Sequence, residues 1–158
     1  MSNFNSQKII APIMRFVNMK GIIALKDGML AILPLTVVGS LFLIIGQLPF
    51  EGLNQAIASV FGDTWTEPFM QVYSGTFAIM GLISCFSIGY SYAKNSGVEP
   101  LPAGVLSLSS FFILLKSSYV PAKGEPIGDA IAKVWFGGQG IIGAIIIGLV
   151  VGAIYTVF

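Results

Sequence analysis

The sequence predicts an all-α protein: a polytopic transmembrane helix bundle of about four spans, preceded by an amphipathic surface helix. Three observations lead there. The chain has 158 residues, of which 55% are hydrophobic and only 9% charged, whereas a soluble domain carries about 25% charged residues. Its mean hydropathy is +0.87. Apolar stretches near the ~20 residues that cross a bilayer recur along the chain.

The elements follow in order. Residues 1–27 form a basic N-terminal segment. In "KIIAPIMRFVN", Ile9, Ile10, Ile13, Met14, Phe16 and Val17 share one helical face, and Lys8, Arg15 and Asn18 the other. A basic amphipathic helix before a first span reads as lying on the membrane surface; a cap helix of a soluble domain is the alternative. The transmembrane bundle is expected over 28–158, with spans at about 28–48, 69–93, 101–120 and 140–158. The first span begins inside "ALKDGMLAILPLTVVGSLFLII". Asp27 is expected near a helix N-terminus, where a negative charge meets the positive end of the dipole. Pro34 is expected to kink the helix, and such breakers belong in a packed bundle.

Orientation comes from the basic residues. Lys8, Arg15, Lys20 and Lys26 precede the first span, and the loop after it carries Glu51, Asp63 and Glu67 with no lysine or arginine. The positive-inside rule places the N-terminus in the cytoplasm and that loop outside. Lys94 then falls inside, while Lys123 and Lys133 fall outside, a mild violation. The outer loops contain "AIASVFG" (56–62) and "AIAKVWFG" (130–137), with Trp65 and Trp135 nearby. They read either as the trace of a duplicated unit or as two interfacial segments with similar needs.

Small residues recur every fourth position: Gly81, Cys85 and Gly89 on the second span, Ala144, Gly148 and Gly152 on the last. Such stripes let helix backbones approach closely, within the chain or across a dimer.

Candidates for chemistry are few. There is no histidine, which removes the commonest general base and metal ligand. Cys85 stands alone, so no disulfide framework or metal-ligand spacing exists; mid-span and without an activating base, it reads as a packing residue. Lys116 lies inside an apolar run, where an ionisable residue is a functional candidate. Its position near the outer end of its span favours snorkelling, which leaves it a weak substrate-binding candidate. Ser107, Ser109 and Ser110 make the third span partly polar and read first as interhelix hydrogen-bonding groups. No phosphate loop, carboxylate pair or nucleotide fingerprint is present. No catalytic residue, metal site or cofactor is expected, and a net charge of +1 gives no pull toward nucleic acid.

The stretch "ALKDGMLAILPLTVVGSLFLII" resembles the start of the membrane-embedded IIC component of bacterial phosphotransferase-system sugar permeases, in the lactose/cellobiose/N,N'-diacetylchitobiose family. "YSGTFAIMGLISCFSIGYSYAK" and "WFGGQGIIGAIIIGLVVGAIY" are similar to that family too, so the resemblance covers the chain in order. Family members are more than twice this length, so the chain is expected to be the N-terminal portion. The resemblance implies a multi-pass protein of the bacterial cytoplasmic membrane that takes up a disaccharide. Soluble IIB and IIA partners would phosphorylate the sugar through a IIB phosphocysteine. In the family the N-terminal helices mainly build a dimer interface, which implies a homodimer in lipid. The sugar-binding histidine and glutamate would lie downstream of Phe158, so no sugar contact carries over. The component itself would be a transporter, not an enzyme. The competing expectation is an autonomous four-helix channel or accessory membrane subunit.

Overall fold

The computed structural model of the protein describes residues 17–115, 118–119, 127–128 and 131–158. Most of the expected surface helix, and Lys116, lie outside the described residues. The helices are α1 (Lys20–Leu30), α2 (Leu33–Gly46), α3 (Glu51–Phe61), α4 (Glu67–Gly75), α5 (Met80–Ser96), α6 (Pro100–Leu114) and α7 (Ile141–Tyr155). A 3₁₀ turn at Phe77–Ile79 joins α4 to α5, and two more, Lys133–Trp135 and Gly138–Gly140, precede α7. Between α6 and these turns, β1 (Ser118–Tyr119) pairs antiparallel with β2 (Ile127–Gly128), Tyr119 opposite Ile127. The sequence did not foreshadow this minimal ladder.

Among the described residues, three helical runs are long and apolar enough to cross a membrane: Lys20–Gly46, Glu67–Ser96 and Gly138–Tyr155. The expected third span is shorter. Its helix α6 has 15 residues and stops at Leu114, which at 1.5 Å per residue gives about 22 Å against a ~30 Å hydrocarbon core. The first run begins at Lys20, eight residues before the expected start at 28, so the expected 27/28 boundary falls within α1.

Two of the long runs are interrupted. Ala31 and Ile32 form a turn between α1 and α2. Pro34 has no N–H to donate to the carbonyl of Leu30, so the helix gives way one turn upstream of the proline, and Pro34 sits in the first turn of α2. Thr36 braces that turn, its hydroxyl donating to the carbonyls of Ile32 (3.0 Å) and Leu33 (2.9 Å). The stretch 69–93, expected as one helix, breaks at Thr76 (φ −124°, ψ −84°). Here the Thr76 hydroxyl donates to the carbonyl of Val72 at 2.7 Å. The Gly81 N–H, which an unbroken helix would direct at Phe77, donates instead to the carbonyl of Phe136 at 2.7 Å. A competing acceptor therefore accompanies the break.

The chain forms two compact units. One comprises Met1–Ala31, Ser84–Lys116 and Ile142–Phe158, the other Ile32–Ile83 and Ser117–Ile141. In the first, small residues let helices meet backbone to backbone. A Cβ on Gly28 of α1 would stand 2.8 Å from the backbone of Ile88. One on Gly148 would stand 2.9 Å from the carbonyl oxygen of Cys85, and one on Gly152 2.8 Å from Cβ of Tyr92. Gly89 gives the same room to Ser107 and Ala103 of α6. Ala24, Ala93, Ala103 and Ala144 are fully buried beside Ile88 and Phe111. In the second unit, Gly39 abuts Thr76 and Phe77, Gly46 abuts Phe69 and Met70, and Phe42 and Phe69 approach to 6.0 Å between ring centroids.

The resemblance noted between 56–62 and 130–137 does not extend to conformation. The first segment closes helix α3; the described part of the second forms the Lys133–Trp135 turn. Gly137, Gly138 and Gly140 follow it, and glycine disfavours helix interiors.

Candidate functional site

The charged residues that open the first span lead to a polar cleft in the first unit. α1 runs from Lys20 to Leu30, so Asp27 occupies its last turn rather than a helix start. The expectation of a favourable dipole is therefore overturned: at this end a carboxylate meets the negative pole. Partners compensate. The amide of Asn95 donates to Asp27 Oδ2 at 3.2 Å, and Lys26 Nζ lies 3.3 Å from Oδ1. Gly28 makes this possible, because its lack of a side chain brings α1 against Ile88 of α5.

The other wall is the C-terminal half of α5. Ser87, Ser91 and Asn95 recur every fourth residue, with Tyr90 and Lys94 one row over, so both rows share a face. With Asp27, Ala31 and Phe86 they line a cleft of about 360 Å³. Ser87 and Ser91 are buried. Phe86 and Tyr90 stack, with centroids 6.1 Å apart and planes 24° from parallel. The end of α5 is fixed by Gly97 at φ +79°, a left-handed terminator; the N–H of Val98 returns to the carbonyl of Ala93 at 3.2 Å. Lys94 sits in that last turn, where a cation is favoured.

The residues singled out in the sequence distribute differently. Cys85 is fully buried, and its thiol donates to the carbonyl of Ser107 at 3.2 Å. Ser107 is also buried and donates to Ala103 within its own helix at 2.8 Å, while Ser109 is exposed, so the serine cluster does not converge on a cavity. Gly81 lies against the backbone of Phe136 and Gly137, Gly89 against α6, and Gly148 and Gly152 against α5. The row on α7 is thus occupied inside one chain. The polar row Ser87–Ser91–Asn95 is not a contiguous serine run; its four-residue spacing is its signal in the sequence. The second unit holds another cleft, about 490 Å³, bordered by Tyr73, Ser74, Phe77, Lys133 and Gln139.

A family model described as "Phosphotransferase system, EIIC" matches residues 26–158, which begins at the Lys26–Asp27 pair. The chain belongs to the phosphotransferase-system EIIC family. The lichenan permease IIC component of Bacillus subtilis (strain 168) is 36% identical over 94% of this chain and 34% of its own length. The cellobiose-specific EIIC component of Geobacillus stearothermophilus is 36% identical over 84% of this chain and 30% of its own. Among solved structures, that of the transporter ChbC, the IIC component of the N,N'-diacetylchitobiose-specific system, superposes with a TM-score of 0.83 at 32% identity. It covers 94% of this chain and 36% of that one. The chain thus spans about a third of the length of these relatives. This EIIC chain is an all-α membrane protein of a permease family.

Proposed function

We propose that this EIIC chain is the N-terminal scaffold and dimerisation portion of a disaccharide permease that works by group translocation. A β-linked disaccharide of the cellobiose or N,N'-diacetylchitobiose type enters from outside. A soluble IIB partner, recharged by IIA, then transfers a phosphoryl group from its cysteine to a sugar hydroxyl, and trapping the phosphate ester makes uptake one-way. Cys85 takes no part in that relay, being buried and bonded to Ser107. What carries the reading is the continuous family match over 26–158, alongside relatives named for lichenan and cellobiose. In this reading the N-terminus is cytoplasmic, residues 1–27 lie on the inner membrane surface, 28–158 form the spanning bundle, and the protein pairs with a second copy in lipid. Lys116 is in this reading a weak candidate for a substrate contact.

The test is genetic and biochemical. Disrupting the gene that encodes this chain should abolish phosphoenolpyruvate-dependent uptake of labelled cellobiose or diacetylchitobiose, and restoring it should recover that uptake. Unchanged uptake of both sugars would refute the assignment.

A further inference from the structure

We propose that the Asp27 cleft is a saccharide subsite that holds one pyranose unit through its hydroxyls, on the scaffold portion of the permease. The inference rests on the permease reading above and names a binding role for residues that reading leaves idle.

Four observations carry it. First, six hydrogen-bonding side chains meet in one cleft: Asp27, Ser87, Tyr90, Ser91, Lys94 and Asn95. Ser87 and Ser91 place two hydroxyls one turn apart on the lining, and a polyol can donate to and accept from both. Second, the lining carries one carboxylate, Asp27, already paired with Lys26 outside the cleft, and one ammonium, Lys94. A phosphate or lipid headgroup would meet the carboxylate, and a divalent cation would find a single carboxylate facing an ammonium, whereas a neutral polyol meets neither obstacle. Third, the hydrogen-bonding capacity suits vicinal hydroxyls. Asn95 spends one amide hydrogen on Asp27 and retains a second N–H and its carbonyl; the carboxylate has lone pairs beyond those used by Asn95 and Lys26. Fourth, the Phe86–Tyr90 stack gives the cleft an apolar wall of the kind ligand pockets combine with a few placed polar groups, and about 360 Å³ lies within the ~300–1,000 Å³ of such pockets.

The experiment uses the purified 158-residue protein in lipid nanodiscs, titrated with cellobiose and N,N'-diacetylchitobiose by calorimetry. Saturable binding is expected, weakened about tenfold or more by Asp27→Asn or Ser91→Ala, as loss of a hydrogen bond to a charged or buried group predicts, and unchanged by Gln139→Ala in the other cleft. A photoreactive cellobiose provides a check on the unaltered protein: cross-links should map to α5 between Phe86 and Asn95. Absence of saturable binding, affinity indifferent to both variants, sensitivity to Gln139→Ala, or cross-links confined to other segments would each overturn the proposal. The permease assignment is judged separately by cellular uptake, so gene-dependent uptake together with an empty cleft would sink this inference alone.

Discussion

Gly148 occupies a point where α7 touches α5 with no room for a side chain. Its missing Cβ would lie 2.9 Å from the Cys85 carbonyl oxygen and 3.0 Å from Cβ of Ile88. Gly148→Leu should therefore cost about 1–3 kcal/mol or more through overpacking. The thermal midpoint in detergent should fall, and the buried Cys85 thiol should react faster with a maleimide. An unchanged midpoint and labelling rate would mean that the helices can part without loss. The row Ala144–Gly148–Gly152 was legible because small residues at fourfold spacing can be counted along one helix. The Asp27–Asn95 contact was not, since 68 residues separate its partners and only the fold brings them together.

The helix interruptions were legible only where a residue type announces them. Pro34 predicted a break in the first run, and the turn at Ala31–Ile32 lies just upstream. The break at Thr76 had no such sign; it coincides with the carbonyl of Phe136, far along the chain, accepting from the N–H of Gly81. A Cβ at Gly81 would stand 2.7 Å from that same oxygen. Gly81→Ala should thus push the 136–137 backbone away, at a cost of about 1–3 kcal/mol. In a Trp65→Phe background the remaining Trp135 reports the change as a shift in emission; an unshifted spectrum would argue against this coupling. At the end of α5, Gly97→Ala forces a side chain into a left-handed backbone and should destabilise by about 1–2 kcal/mol. A circular-dichroism melt matching the unaltered protein would contradict the assigned terminator.

At the scale of the molecule, composition together with the recurring ~20-residue apolar stretches was enough for an all-α membrane fold, because 9% charge cannot cover a soluble surface. Span limits were less legible. Hydropathy extended the third span to residue 120, but α6 stops at Leu114, where no glycine or proline announces an end before Pro121. The inside-outside assignment rests on the four early basic residues and has a direct check. Reporters fused after Met19 or near Lys94 should report cytoplasm, and one fused near Asp63 the outside. A cytoplasmic signal at Asp63 would invert the topology.

Helix α7 is apolar on every side, yet its two flanks differ in another respect. Ala144, Gly148 and Gly152 are buried, while Ile142, Ile146, Val150 and Ile154 are exposed. Its orientation is written in bulk, not polarity. The consequence concerns how such a helix can drift in sequence. Exchanges among isoleucine, leucine, valine and phenylalanine along the outer row are nearly silent, whereas an alanine-to-isoleucine change at 144, which raises hydropathy and so looks benign to any scale of oiliness, removes the fit. Variation along α7 should be governed by side-chain volume, and a tolerance map of its positions would trace the buried seam as a row where only the smallest residues survive.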